Sequence, residues 1–185
     1  LDYCDYRVEG EDWNRGVPVI KVQKALLDRR KPCHVTLRFS FTSRLSGEQL
    51  DDLQLVLEDA QECKVSVNGQ DVSTKETGWW KDRAFQTVLI APYVKKGNNE
   101  ILISVLFSQP QKVYDVLYGK DVYETEINKI TYGIEIENIY LIGKFGVYSE
   151  SPFRTTERNA YLTDGPFVLD TMKDQLNSLE LTKQG

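Results

Sequence analysis

The stretch LQLVLED at residues 53–59, followed by CKVSVNGQDV at 63–72 and VKKGNNEILISVLF at 94–107, decides how this chain folds. Leu53, Leu55 and Leu57 fall on one face of an extended segment, with Gln54, Val56 and Glu58 on the other, the period of two of a half-buried strand. Cys63, Val65 and Val67 repeat the pattern. Asn68-Gly69 then supplies two residues that adopt positive φ at little cost, as a type I′ turn requires, so the chain should reverse and continue through Asp71-Val72. Gly97-Asn98-Asn99 predicts a second turn, launching Ile101, Ile103, Val105 and Phe107 as a face apolar enough for the middle of a sheet.

Outside this passage, Pro18 opens a short helical pattern through VIKVQKALLDRR, with Val19, Val22 and Leu26 on one side and Arg29, Arg30 and Lys31 near its C-terminal dipole. Residues 33–42 read as a strand: Cys33, Val35, Leu37, Phe39 and Phe41 share one face, His34, Thr36, Arg38 and Ser40 the other. Residues 84–90 form another strand. After the break at Gln109-Pro110-Gln111, Val113, Val116 and Leu117 mark a short helical face. Ile130, Tyr132, Ile134 and Ile136 alternate as a strand should, and 140–142, 145–148 and 167–169 are further strand segments. Residues 1–16 show no clear period.

At least six alternating segments, with too little helix between them for parallel crossovers, predict an all-β fold: an antiparallel β-sandwich of jelly-roll type with short helical decorations. A chain of 185 residues buries a full core as one domain, with the sandwich core at about 33–148, an N-terminal extension at 1–32, and an extension and linker at 149–185. The sequence starts without Met and ends on the polar LTKQG, so it reads as a piece of a multidomain protein.

Composition narrows the function. Lys and Arg number 23 against 28 Asp and Glu, a net charge of −5 without long runs, so no basic stripe exists to neutralise a phosphate backbone, and nucleic acid is not the expected partner. No apolar stretch is long enough to span a bilayer as a helix, so no membrane association is expected. Three widely spaced cysteines, Cys4, Cys33 and Cys63, give neither a disulfide framework nor a metal knuckle. They read as reduced thiols, which favours a cytoplasmic setting.

VSVNG at 65–69, the aromatic-rich loop after it, IAPY at 90–93 and KKGNNEILISV at 95–105 resemble the sugar-binding domain family of glycoside hydrolase family two, whose members have a galactose-binding-domain-like jelly roll. EIENIYLIGKFGVY at 135–148 is similar to a segment that follows the jelly-roll core in large glycosidase-like proteins, including relatives of the α-L-rhamnosidases. The resemblance covers about residues 35–148. It implies a carbohydrate-binding-type accessory domain of a glycoside hydrolase-like protein, with carbohydrate or the neighbouring domains of its parent as partners. It implies no required cofactor, although many galactose-binding-like domains carry a structural calcium ion.

No catalytic constellation accompanies the motifs. Glu124 with Glu126, and Glu135 with Glu137, are the carboxylate pairs available for glycoside hydrolysis; if Glu135 and Glu137 share a strand face, they read as a solvated face rather than an acid and base drawn from separate strand ends. His34 is the sole histidine, which rules out multi-His zinc sites; it lies mid-strand without a nucleophile motif, so it reads as an ordinary polar-face histidine rather than as the base of a Ser-His-Asp or Cys-His nucleophile. The recognition candidate is Trp79, Trp80, Asp82 and Arg83: an indole stacks on the C–H face of a pyranose while Asp and Arg hydrogen-bond its hydroxyls. Adjacent residues of an extended chain point oppositely, so at least one tryptophan is expected in the core. The alternative function is a structural docking module that packs these aromatics against a catalytic domain or second subunit, as this loop often does in the resembled family.

Overall fold

A computed structural model describes residues 1–75, 78–119 and 122–172; the polar connector read at the C-terminus lies outside the described residues. Strands β1 (Tyr3–Val8) and β2 (Asn14–Pro18) precede helix α1 (Val19–Leu27), then β3 (Cys33–Ser43), β4 (Gln54–Leu57), β5 (Lys64–Val67), β6 (Gln70–Val72), β7 (Gly78–Trp80), β8 (Asp82–Leu89) and β9 (Gly97–Phe107). Two short helices, α2 (Gln111–Tyr118) and α3 (Glu124–Ile127), lead to β10 (Tyr140–Ile142), β11 (Gly146–Ser149), β12 (Arg154–Thr155), β13 (Tyr161–Leu162) and β14 (Phe167–Asp170).

The protein is mainly β, built on an eight-stranded and a four-stranded sheet whose pairs are antiparallel apart from β14 with β3. β3 and β9 form the spine of the larger sheet, paired without a break from Cys33 opposite Phe107 to Ser43 opposite Gly97. β5 and β6 extend it beyond β9, while β1 and β14 both pair with β3, at Val35–Arg38 and Thr42–Ser43. The smaller sheet runs β10-β4-β8-β7. One buried cluster draws Val35, Leu37, Phe39, Val65, Val67, Ile101, Ile103 and Phe107 from the larger sheet and Leu53, Leu55, Leu57 and Val88 from the smaller sheet and its approach. The period-two faces read from residues 53–57, 63–67 and 101–107 are therefore the faces that bury.

The two turn motifs are joined. Asn68 and Gly69 have φ of 51° and 80°, both positive as a type I′ turn demands, and they connect Val67 to its partner Gln70. The Asn68 side chain donates to the carbonyl of Tyr93 and to Oδ1 of Asn99, each at 2.8 Å, and accepts from the backbone N–H of Glu100 at 3.1 Å. Asn99, only 2% exposed, accepts also from the N–H of Lys95 and donates to the carbonyls of Lys95 and Gly97. Asn68 and Asn99 thus staple the β5–β6 hairpin to the turn before β9.

Helix α1 forms where Pro18 precedes an apolar stripe, burying Val19, Val22, Leu26 and Leu27. α2 likewise begins after Pro110 and buries Val113, Tyr114 and Val116. Two expectations need correction. Residues 1–16, which carry no readable period, hold β1 and β2; β1 alternates imperfectly because its pairing with β2 shifts register between Cys4 and Tyr6. Residues 130–136, which alternate like a strand, are not one. Side chains take the place of a neighbouring strand there: Gln109 accepts from Gly133 N–H and donates to the Ile134 carbonyl, and Gln23 accepts from Ile136 N–H. With those backbone groups satisfied, Ile136 and Ile139 reach the core without a ladder.

All three cysteines are free, and burial pushes the Cys4 and Cys63 thiols up to about 12 and raises Cys33. Thiols held this firmly protonated are packing residues and not nucleophiles.

Candidate aromatic recognition site

β7 and β8 form the hairpin that carries all the sequence-nominated recognition residues. Lys81, at φ 63°, is the single residue between the paired Trp80 and Asp82, while Trp79 pairs with Gln86. That register shift breaks the strict in-and-out alternation expected of Trp79 and Trp80, and neither enters the core: Trp79 is 61% exposed and Trp80 half-buried. Asp82 and Arg83 are exposed beside them. Asp82 Oδ1 accepts the N–H of Ala84 at 2.9 Å, which holds the tip of the turn.

The hairpin brings Trp80 to residues that sequence reading left out. Its ring lies 5.5 Å from that of Tyr140 on β10, and Phe85 of β8 meets Tyr140 edge-on at 5.9 Å. Lys81 Nζ sits 4.7 Å above the Trp80 ring. Tyr140 is paired with Val56, and Val56 with Thr87, so these residues share the face of the smaller sheet that turns away from Leu55 and Val88. Val56 is fully buried on that face, against the sequence expectation of a polar side. Tyr140 carries no local signal of this role, since only the pairing of β10 with β4, some 85 residues apart, sets it beside the hairpin.

An acidic group borders the same face. Glu58 follows directly on β4, and burial, reinforced by Glu135, Glu137, Asp59 and Asp82, pushes its carboxyl up to about 7. Burial also raises Glu135, with Glu137 and Asp59 adding to it. Glu135 and Glu137 stand in the irregular segment before β10 and not on a strand face; the Glu135 N–H points to Asp59 Oδ2 at 3.4 Å. Glu124 and Glu126 lie on the exposed helix α3. His34 is exposed in a separate hollow with Arg7, Glu9 and Thr36. Among the described residues no group of three or more His, Cys, Asp or Glu side chains is arranged to hold a metal ion. No helix among the described residues is long and apolar enough to cross a membrane.

Chemically, the hairpin offers one open indole, a second indole set against the Tyr140 ring, and a carboxylate, a guanidinium and an ammonium within the sequence 79–83. This arrangement offers a stacking face and hydrogen-bonding groups to an amphipathic ring. No family model matches the sequence, and no curated protein is significantly similar to it.

Proposed function

We propose that this chain is a non-catalytic, carbohydrate-binding-type accessory domain of a larger glycoside hydrolase-like protein, with a galactose-binding-like β-sandwich as its scaffold. The observation that carries the reading is Trp79, 61% exposed on a hairpin whose other indole is braced by Tyr140 and whose tip presents Asp82 and Arg83. A large apolar ring left open to water on a braced hairpin is suited to stacking, because its partner supplies the missing burial while little conformational freedom remains to be lost. Two sheets sharing one buried cluster support the sandwich form of the fold. Neutral sugars suit the site better than anions, since Asp82 stands between Lys81 and Arg83 in the sequence and acts electrostatically on the neighbouring acidic Glu58.

Titration of a glycan panel against the wild-type protein, Trp79→Ala and Trp80→Ala tests this. The expected dissociation constant is on the order of micromolar to millimolar, as befits a shallow site that desolvates few groups, and either substitution should weaken binding. Binding that survives both substitutions unweakened moves the site elsewhere. If no glycan binds, the same hairpin is a docking surface for a catalytic domain or second subunit.

A further inference from the structure

A cleft of about 1210 Å³ opens beside the recognition hairpin, and Tyr140 links the two: its ring contacts Trp80 and Phe85, and the residue is part of the cleft lining. From there the cleft continues past Phe41 and Phe145 to Val147 and Phe167, which are 55% and 53% exposed. Polar groups interrupt this apolar wall at Thr42, Asn98, Lys95 and Glu100. Thr42 Oγ1 donates to Asn98 Oδ1 at 3.0 Å, and the Asn98 amide N–H groups, without a partner among the described residues, can turn toward a ligand.

We propose that the domain's ligand is an oligosaccharide chain rather than a single sugar, running from the Trp79–Trp80 hairpin across Tyr140 into this cleft; the proposal rests on the carbohydrate reading above. Three features favour that occupant. The cleft exceeds the roughly 300–1,000 Å³ that holds a drug-sized ligand, so a single ring leaves most of it filled with water. Aromatic and aliphatic walls alternate with amide, ammonium and carboxylate groups, matching a ligand whose rings have apolar faces and hydroxylated rims. A wholly apolar ligand would cover Asn98, Lys95 and Glu100 without giving them partners, at the cost of desolvating each. Tyr140 touches the hairpin aromatics and belongs to the cleft lining, so a chain reaching from one surface to the other passes it.

The test measures affinity along a ladder of neutral oligosaccharides, from monosaccharide to hexasaccharide, for the wild-type protein, Trp79→Ala, Phe167→Ala and Val147→Ser. Phe167 and Val147 are exposed wall positions whose replacement spares the core, and thermal melting verifies that each variant is folded. The expected result is affinity that rises about tenfold or more with chain length in the wild type. Phe167→Ala and Val147→Ser should each lose most of that gain and keep the monosaccharide affinity within about twofold, whereas Trp79→Ala should weaken every member of the ladder. Affinity independent of chain length, with short sugars still bound, overturns the cleft while leaving the hairpin reading in place. A length-dependent gain that survives both cleft substitutions overturns it as well. Failure of every saccharide to bind the wild type removes the carbohydrate reading and the proposal together.

Discussion

Replacing Asn99 with Ala should destabilise the protein far more than replacing its neighbour Asn98, although both lie in the same polar turn. The Asn99 amide makes four hydrogen bonds: it accepts from Asn68 Nδ2 and Lys95 N–H, and donates to the carbonyls of Lys95 and Gly97, all at 2.8–2.9 Å. At 2% exposure none of these is replaced by water within the folded side-chain site. Each contributes about 0.5–1.5 kcal/mol net, and groups left buried without a partner cost more. Lys95 and Gly97 are partly open to solvent, so some of their orphaned groups rehydrate, and the expected loss is about 3 kcal/mol. For a chain of this length that corresponds to a fall in Tm of about 6–12 °C. Asn98 is exposed and holds a single side-chain bond from Thr42, so Asn98→Ala should stay within about 0.5 kcal/mol of wild type. Asn99→Asp adds a second contrast: it keeps the volume but turns both donors into acceptors facing two carbonyls, and should be at least as destabilising as the alanine. Urea unfolding with unchanged m-values measures all three. An Asn99→Ala midpoint indistinguishable from that of Asn98→Ala would refute the account, because the turn would then be held by its backbone alone.

Gly69→Val places a β-branched side chain at φ 80° in the β5–β6 turn, and a loss of about 1–3 kcal/mol is expected; a wild-type melting temperature would mean the turn is not of type I′. Gly133→Ala should destabilise as well, because the added Cβ meets the backbone carbonyl oxygen of Ser108 at 2.5 Å, in the segment that Gln109 ties down; unchanged stability there would show that residues 130–139 are not held as described. The Glu58 carboxyl is raised from an ordinary value of 4.5 to about 7, so it favours folding while protonated and this contribution is lost as pH rises through about 7. Solvent screening of a half-buried group reduces the effect to about 1 kcal/mol. Glu58→Gln should therefore be more stable than wild type at pH 8 and indistinguishable from it at pH 4, and pH-dependent chemical denaturation showing parallel curves would contradict this assignment.

What the sequence settles by itself is the interior of the sheets. Alternation at residues 33–41 and 101–107 is enforced along each strand by the pleat, and β3 and β9 pair along eleven positions each, so a local pattern is enough to place Val35, Leu37, Ile103 and Phe107 inside. The Asn68-Gly69 turn is likewise local, since the φ values it needs belong to those two residues. The Trp79–Arg83 segment was legible as a candidate surface from residue chemistry, but its side chains' directions were not, because the shift in pairing beside Lys81 depends on how β7 meets β8. Residues 130–136 show the converse: their period of two is that of a strand, yet a strand exists only where another lends it hydrogen bonds, and there Gln109 and Gln23 do so instead. Tyr140 beside Trp80, the raised Glu58 and the cleft that Phe41, Phe145 and Phe167 share were decided by tertiary structure alone. Each joins residues distant in sequence through strand pairing and packing, and such long-range contacts leave no period in the chain to read.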